Sequence, residues 1–367
     1  MKYCVCKRCV MDTSAKEIVF DKNGYCNFCT VALDEMPQKW TVDEQKLDEL
    51  YNKIKKAGEG RQYDCIIGIS GGIDSSYLAY VSAKKGLRML GIHIDAGFNT
   101  PVSERNVKNL CEKLGIDLKI IKIDLTEMMD LQRAYFLSEV LNQDVPQDHA
   151  FFSALFKYAK ENKIKYFLTG SNYSSESILP ISWRYNAYDG KNLKAIHKAY
   201  GRVKLETYPV MSFYEAYIKY DKLKKVHPLD LIDYNKEEAI KILAQEIGFE
   251  YYGAKHCESS FTRLFQSYIL PKKFGIDKRR CHLSSLIVAG QLSRDDALEE
   301  LSHPLCTDEQ IESDIQDFIS KIDITREQFD RIVDKKGGKR HEEFKHQGVS
   351  LKLLKGIRKI FGINRNK

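Results

Sequence analysis

The chain has 367 residues, of which 43% are hydrophobic and 30% charged, with a formal net charge of +7. This composition is typical of a globular protein with one large domain or two. No apolar run approaches the roughly 18 residues of a membrane span, and residues 1–8 lack the apolar core of a secretory signal, so a cytoplasmic location is expected. The positive charge suits nucleotides, anionic sugars, RNA or an anionic membrane equally well.

Paired cysteines mark the amino-terminal segment, residues 1–40, which we call the knuckle. The sequence has ten cysteines, and four of them form two pairs with a two-residue gap: Cys6 with Cys9, and Cys26 with Cys29. Four thiolates at this spacing suit tetrahedral Zn²⁺, so we predict a structural zinc site that folds a short segment. Cys4 is an alternative ligand to Cys6, and residues 21–24 (Asp-Lys-Asn-Gly) predict a hairpin turn between the pairs.

Strands and helices alternate after a charged helix at 41–60. Strands are predicted at 64–69, 89–95, 117–123 and 166–169, and helices at 74–85, 103–114, 125–141 and 148–161. This alternation predicts an α/β domain over 41–190, with a parallel sheet covered by helices on both faces. Ligands of such sheets bind at the carboxyl ends of the strands, so the loops at 70–76, 95–99 and 170–176 should surround one crevice.

The loop at 70–76 reads Ser-Gly-Gly-Ile-Asp-Ser-Ser between a buried strand and a helix. Gly71 and Gly72 let the backbone approach an anion closely, and the helix start offers unpaired N–H groups and a positive dipole end. Three hydroxyls add hydrogen-bond donors: Ser70, Ser75 and Ser76. Asp74 is placed to hold Mg²⁺ against phosphates. The string therefore predicts a phosphate-binding loop.

This loop resembles the PP-loop of the ATP pyrophosphatases, which include NAD, GMP and asparagine synthetases, argininosuccinate synthetase and tRNA thiolases. The resemblance implies a HUP-like α/β domain in which ATP is split between its α- and β-phosphates. Pyrophosphate would be held by the loop and AMP passed to a substrate oxygen. Asp95, at the end of the second strand, and Gly170, after the fourth, are expected to complete the ATP site.

From about residue 191 the pattern is mostly helical, and two regions are predicted. A helical substrate or partner region covers 191–335, and a basic loop with an amphipathic tail covers 336–367. One helical face of the tail at 351–361 carries apolar side chains: Leu353, Leu354, Ile357, Ile360 and Phe361. Such a basic amphipathic helix is able to lie on a membrane, bind a partner or pack on its own domain.

Further strings are more specific than the phosphate loop. They occupy residues 169–183, 194–197, 255–263 and 270–280. With the paired cysteines, they resemble the N-acetyl sugar amidotransferases of bacterial surface-polysaccharide biosynthesis, the lipopolysaccharide and O-antigen pathways, from Cys6 to about Leu301. The sequence departs from this pattern at Cys257, where an aromatic residue is expected. The resemblance implies that ATP activates the acetamido group of a sugar and that ammonia converts it into an acetamidino group.

Candidates for catalysis or substrate contact follow from these strings: Asn172, Glu176, Trp183, Lys255, Glu258 and Lys273. Lys255 or Lys273 would stabilise the departing pyrophosphate, together with Mg²⁺. Glu176 or Glu258 would orient ammonia, accept its proton or hold sugar hydroxyls. Trp183 would stack on a sugar or base, or belong to the core. No cysteine here lies in the elbow of a triad glutaminase, so the chain is expected to have no glutaminase of its own. The resemblance further implies a separate glutaminase and a barrel-type subunit that channels ammonia.

Two other functions are compatible with the sequence. A tRNA thiolase would also combine a PP-loop with zinc-bound cysteines, but it needs a reactive thiolate, for which Cys257 and Cys281 are the candidates in polar segments. No recognisable RNA-binding module is present. A scaffold that binds nucleotide without catalysis is the second alternative. For an amidotransferase, the sugar would be a UDP-linked diacetamido uronic acid or a CMP-linked or free nonulosonic acid.

Overall fold

A computed structural model describes residues 2–220, 222–253 and 257–360 of the chain. Five parallel strands form its sheet: β1 (Cys65–Gly68), β2 (Met89–Asp95), β3 (Asp117–Lys122), β4 (Tyr166–Leu168) and β5 (Lys224–Val226). The strand order is β3-β2-β1-β4-β5, with Ile66 of β1 paired to Leu90 and to Phe167. The winding direction therefore reverses between β1 and β4, which is where open α/β sheets bind ligands. The predicted parallel sheet is confirmed.

Helices surround the sheet and form most of the remaining structure. In chain order they are α1 (Asn27–Lys39), α2 (Glu44–Ala57), α3 (Ile73–Lys84), α4 (Pro101–Leu114), α5 (Leu125–Ser138), α6 (Val145–Glu161), α7 (Tyr173–Glu176), α8 (Gly190–Tyr200), α9 (Lys236–Ile247), α10 (Ser260–Leu264), α11 (Arg279–Val288), α12 (Arg294–Ser302), α13 (Asp308–Lys321), α14 (Arg326–Asp334) and α15 (Gly348–Ile360). Short 3-10 turns occupy Ile181–Trp183, Pro228–Leu231 and His341–Glu343, and π-helical turns occupy Glu215–Lys219 and Phe265–Phe274. Across the described ranges, no helix combines the length and apolar composition needed to cross a membrane.

Local signals explain where several helices begin and end. The Thr100 side chain accepts a hydrogen bond from the Ser103 N–H and caps α4, which ends at Gly115 in the left-handed conformation. The Asn235 side chain accepts hydrogen bonds from two N–H groups in the first turn of α9, and Gly248 ends that helix with a φ of +70°. Such caps satisfy backbone groups that a helix end leaves without partners.

The two faces of the sheet have separate apolar cores. Ile67 and Ile69 face α2, α3, α4 and α9, whereas Ile66 and Phe167 face α6, where Leu155 packs against them. This division follows from the alternation of side chains along a strand. Burial on both faces explains why β1 is apolar throughout.

A third core joins the helical carboxyl-terminal part to the sheet domain. It lies among α5, α10, α13 and α14, where Phe136 stacks on Phe329 with ring centroids 5.3 Å apart. Phe98, in the loop after β2, packs at 5.5 Å against Phe261 of α10. The loop at the end of β2 and the start of α10 are thus held together, and both reach the crevice described below.

The structure corrects two expectations for the second half of the chain. The pattern there was predicted to be mostly helical, with no strand assigned, yet β5 forms the edge of the sheet next to β4. Within the predicted helical region, α10 does not continue as a regular helix but is followed by the π-helical turn Phe265–Phe274, which contains Pro271. Proline lacks the N–H that an α-helix would use at this position.

Candidate functional site

The phosphate loop connects β1 to α3, and its two glycines serve different purposes. Gly71 has a φ of +82°, and a Cβ there would lie 2.5 Å from the Ser103 carbonyl oxygen. Gly72 has an ordinary φ of −82°, but a Cβ would lie 3.0 Å from Ser70 Oγ and 3.1 Å from Glu258 Oε1. Gly71 is therefore required by backbone conformation and packing, whereas Gly72 keeps space open above the start of α3.

The polar side chains of the loop hold its shape. Ser70 Oγ accepts a hydrogen bond from the Gly72 N–H at 3.1 Å, and Ser75 Oγ donates to the Gly72 carbonyl at 3.1 Å. Asp74 accepts a hydrogen bond from the Tyr234 hydroxyl, and the pKa of Tyr234 is raised by burial and by this carboxylate. Ser76 is fully buried, so its predicted contact with ATP is not supported by its position.

A cavity of about 250 Å³ opens beside the loop at the switch between β1 and β4. Besides the loop, its walls include Thr169, Gly170, Glu176, Asp148, Phe151 and Tyr252. Gly170 lies so close to α3 that a Cβ would be 2.8 Å from the backbone of Asp74 and Ser75. The loop after β4 thus packs directly against the phosphate loop, as the sequence predicted.

A second cavity of about 320 Å³ continues on the β2 side of the loop. The two cavities share Ser70, Asp148, Phe151 and Glu258, so we treat them as one crevice. The second part is lined further by His93, Gln147, Thr262, Gln266 and Lys278. His93 Nδ1 lies 2.8 Å from the Ile69 carbonyl and Nε2 lies 2.9 Å from Asn99 Nδ2, which fits a neutral imidazole protonated on Nδ1.

Two of the predicted site residues, Asp95 and Asn172, form hydrogen bonds that hold the local backbone and do not line the crevice. The Asp95 carboxylate accepts a hydrogen bond from the Gly97 N–H at 3.0 Å, and His93 lines the crevice in its stead. Asn172 is buried and caps α7, with its side-chain oxygen accepting from the Ser175 N–H at 2.9 Å. It thereby positions α7, whose last residue, Glu176, lines the crevice.

Trp183 belongs to the core behind the knuckle. It is buried together with Ile178, Ile276 and Cys281, in a cluster that also contains the four paired cysteines. Of the two interpretations that the sequence allowed for this indole, the structure supports a core residue. Contact with a sugar or base is not supported.

Of the two predicted lysines, Lys273 is described by the structure and does not line the crevice. Lys273 is buried, and its ammonium group donates to Glu139 Oε2 at 2.8 Å and to the carbonyls of Ile332 and Lys335 at 2.6 and 2.8 Å. All three of its protons are therefore used in the helical core, and the catalytic role predicted for Lys273 is wrong. Lys255 lies outside the described residues. Lys278 supplies a cation to the crevice and was not among the candidates.

The side chains from α6 were missed because that helix carries no recognisable motif. Asp148 and Phe151 enter the crevice from α6, and their spacing is that of an ordinary amphipathic helix. His149 lies beside them but is fully buried, with Nε2 accepting from the Met211 N–H at 2.8 Å. Burial lowers the pKa of His149 to about 4.

A buried carboxylate also lies at the start of α7. Asp230 accepts a hydrogen bond from the Tyr173 N–H, and burial raises the pKa of Asp230 to about 6.

The four paired cysteines converge in the knuckle. Their sulfur atoms all lie within 4.8 Å of one another, with Cys6 and Cys29 3.8 Å apart and Cys9 and Cys26 3.6 Å apart. A tetrahedral Zn²⁺ with Zn–S bonds of about 2.3 Å requires sulfurs about 3.8 Å apart. All four are buried, whereas Cys4 is exposed, so the donor set fits a closed zinc site without Cys4.

The knuckle is anchored to the carboxyl-terminal helices by arginines. Arg280 of α11 donates to the Val10 carbonyl at 2.8 Å and pairs with Asp12 at 3.0 Å. Arg294 of α12 donates to the carbonyls of Cys6 and Cys9, at 3.0 and 3.2 Å. These hydrogen bonds satisfy backbone carbonyls around the first cysteine pair, so the knuckle packs directly against α11 and α12.

Comparisons with known proteins agree with this arrangement. A family model for NAD synthase matches residues 43–202, and a model for the C-terminal domain of WbpG-like LPS biosynthesis proteins matches residues 258–358. The tRNA-specific 2-thiouridylase MnmA 2 of Fusobacterium nucleatum is 27% identical over 198 residues, 52% of this chain and 52% of that protein. The NH(3)-dependent NAD(+) synthetase of Methanococcoides burtonii is 41% identical over 91 residues, 24% of this chain and 32% of that protein.

The chain spans about half the length of the first of these relatives. Among solved structures, NMN synthetase from Francisella tularensis matches with a TM-score of 0.33 and 13% identity, covering 77% of this chain and 96% of that one. The phosphate loop lies in the first matched region and Glu258 begins the second. Residues 43–202 therefore form a PP-loop domain of the NAD synthase type, and residues 258–358, which we call the WbpG-like domain, match the C-terminal domain of WbpG-like LPS biosynthesis proteins.

Proposed function

We propose that this protein converts the acetamido group of an N-acetyl sugar into an acetamidino group for surface-polysaccharide biosynthesis, with ATP cleaved to AMP and pyrophosphate. One observation carries the proposal. Glu258 and Gln266, from the WbpG-like domain, line the same crevice as Ser70 of the phosphate loop. A domain typical of lipopolysaccharide biosynthesis thus contributes side chains beside the ATP-binding loop, which supports a sugar acceptor at this point.

The reaction needs ATP because an amide carbon is a poor electrophile and its oxygen a poor leaving group. In the first step, the acetamido oxygen attacks the α-phosphorus of ATP, and pyrophosphate leaves with the electrons of the broken P–O bond. In the second, the lone pair of ammonia attacks the imidate carbon. A proton leaves the new nitrogen, the C–O bond breaks, and AMP departs with its electron pair.

The phosphate loop is suited to the first of these steps. The N-terminal N–H groups of α3 and the hydroxyls of Ser70 and Ser75 would stabilise charge on the departing pyrophosphate. Asp74 and Glu176 line the same cavity, and their carboxylate oxygens are suitable ligands for Mg²⁺. When bound, this ion would offset negative charge on the phosphates.

Carboxylates are also available for the second step. Glu258 lies where the two parts of the crevice meet, and Glu176 lines the first part. Tyr252 also lines the first part, and its pKa is raised by burial first and then by the nearby carboxylates of Glu258 and Asp74. We propose that Glu258 accepts the proton from the incoming ammonia, because it borders both the phosphate loop and the WbpG-like domain.

A substrate panel tests the reaction. The purified chain is incubated with ATP, an ammonium salt and UDP-linked diacetamido uronic acids or nonulosonic acids, and the products are analysed by mass spectrometry. We expect one AMP for each acetamidino sugar formed, with the small mass decrease that accompanies replacement of oxygen by NH. Glu258→Gln should reduce kcat by about 10²-fold, while Glu299→Gln on the exposed face of α12 should not. Absence of AMP with every sugar would contradict the proposal.

The ammonia source is proposed to be a separate glutaminase that works with a barrel-type channelling subunit. The isolated chain should then use ammonium salts but not glutamine. Glutamine should support AMP formation only after both partner subunits are added. Activity of the isolated chain with glutamine would contradict this part of the proposal.

A tRNA thiolase is the second candidate, because the thiouridylase of Fusobacterium nucleatum is among the relatives. The structure gives it little support. Cys257 is buried, which raises the pKa of its thiol to about 12, and Cys281 Sγ donates to the Lys278 carbonyl at 2.9 Å in the core behind the knuckle. Replacing both with serine should abolish a thiolase but leave sugar amidation largely intact.

A further inference from the structure

A basic concavity lies on α8 and shares no lining residue with the crevice. Its volume is about 480 Å³, and its lining includes Lys191, Lys194, Lys198 and Lys345. The first three are spaced three and four residues apart, so they follow one face of α8. All four are exposed, and within the described ranges none of them forms an ion pair with a carboxylate. No carboxylate therefore pairs directly with the lysines of this concavity in the described part of the chain.

Helix α15 borders the concavity and turns apolar side chains outward. Leu351 and Leu354 pack against the cluster around Met211. In contrast, Val349, Leu353 and Ile357 are 76%, 66% and 42% exposed. Their spacing of four residues places them in one stripe along the helix. Of the apolar face predicted for the tail, Leu354 is therefore packed, whereas Leu353 and Ile357 are exposed. Phe361 and the side chain of Ile360 lie outside the described residues.

The two elements are held in a fixed arrangement by Asp189. One oxygen of this carboxylate caps α8 by accepting from the Asn192 N–H at 3.0 Å, and the other accepts from the Gln347 N–H at 2.8 Å, just before α15. Ser350 of α15 also lines the basic concavity. The lysines of the concavity and the exposed stripe of α15 thus form one surface, which we call the α8–α15 face.

We propose that the α8–α15 face docks on an anionic membrane surface. Apolar side chains at its edge would enter the boundary between headgroups and acyl chains, while the lysines contact anionic headgroups. Residues 344–360 contain no acidic side chain, and lysines also occur at 352, 355 and 359. Interfaces between proteins are depleted in lysine, so this composition favours a lipid surface over a protein partner.

Vesicle binding tests the proposal without reference to sugar chemistry, on which it does not depend. The full chain is sedimented with vesicles of phosphatidylcholine alone or of an equimolar mixture with phosphatidylglycerol. We expect binding to the mixed vesicles only, weakened by salt. K191Q/K194Q/K198Q should weaken binding on the order of 100-fold, at about fivefold for each lysine. Leu353→Glu should weaken vesicle binding at least about tenfold, because it removes an apolar side chain that would enter the membrane interface.

A matched control is Val42→Glu, which places the same charge at an exposed apolar position before α2. It should bind vesicles as the unaltered chain does, and circular dichroism should show that all variants remain folded. Equal binding by Leu353→Glu and the unaltered chain would overturn the proposal. So would absence of binding to anionic vesicles. If the same substitutions instead released a protein partner while vesicle binding was absent, the face would be a protein-binding surface and the proposal wrong.

Discussion

The knuckle and the crevice both gather polar side chains, but they do so in opposite ways. The four thiols of the knuckle come from two short stretches, lie within 4.8 Å of one another and are fully buried. The groups of the crevice come from the phosphate loop, the loop after β4, α6 and the WbpG-like domain, and they surround open space. A closed four-sulfur site offers no position to a substrate, whereas the crevice does. The difference shows that access, and not the density of polar groups, separates a structural site from a reactive one.

The largest effect is expected from removing a ligand of the knuckle. Cys26→Ser should eliminate bound zinc, because three thiolates and a hydroxyl cannot replace the four-sulfur site. Structural zinc contributes on the order of 10 kcal/mol or more in small domains, so the knuckle should unfold. Metal analysis and thermal unfolding measure both outcomes. Cys4→Ser is the matched control at an exposed thiol and should retain one zinc ion per chain.

Closing the space above α3 tests the open character of the crevice. Gly72→Ala leaves the backbone unstrained, but its methyl group would meet Ser70 and Glu258 and occupy the place expected for phosphate. We expect AMP formation to fall by about 10²- to 10³-fold, with little change in the melting temperature. Gly356→Ala, which meets no neighbouring atom, should retain full activity. Unaltered activity of Gly72→Ala would mean that phosphates bind elsewhere.

Acidification should lower the stability of the protein, because His149, which is buried on α6 beside the crevice, becomes protonated. Its folded pKa of about 4 lies below the unfolded value, so its contribution to stability is complete above the unfolded pKa and is lost as the pH falls towards 4. Between about pH 7.5 and about pH 5, this loss should be about 2 kcal/mol in the free energy of unfolding. Urea titrations of the unaltered chain, His149→Gln and the exposed control His303→Gln measure it. Only His149→Gln should show a shallower pH dependence, and equal slopes would contradict the assignment.

The smallest effect is expected behind the knuckle. Trp183→Phe keeps an aromatic ring in a core position and should lower the free energy of unfolding by about 1 kcal/mol, without changing the KM for the sugar. Unfolding is followed by tryptophan fluorescence. Because the chain has two tryptophans, Trp40→Phe serves as the control that identifies the signal of Trp183. A severalfold rise in KM for Trp183→Phe would instead place this indole against the substrate.

The comparison also explains what could be predicted from the sequence. The cysteine pairs and the glycine-rich loop are local patterns, so the convergence of Cys6 with its partners and the strand–loop–helix around Gly71 and Asp74 could be predicted from the sequence. The parallel sheet followed from alternation, but β5 did not, because its three residues form a strand only through pairing with β4. Asp148 enters the crevice through the packing of α6, which no local pattern indicates.

The catalytic role predicted for Lys273 was wrong for a related reason. It was a candidate for the pyrophosphate contact because it lies in the string 270–280, yet its ammonium group is enclosed by Glu139 and two carbonyls in the helical core. A lysine in sequence looks the same whether it faces a ligand or a buried carboxylate. Only the surrounding fold distinguishes the two, because the deciding partners lie more than fifty residues away.

The arginine anchors of the knuckle have a consequence for biosynthesis. Cys6 and Cys9 are synthesised before the residue that binds their carbonyls, because Arg294 follows them by nearly three hundred residues. During translation, the cysteine thiols therefore lack the hydrogen bonds from Arg294 to their backbone. Binding of metal at this stage would protect the thiols from oxidation. A shortage of zinc in the cell should thus harm newly made chains more than finished ones.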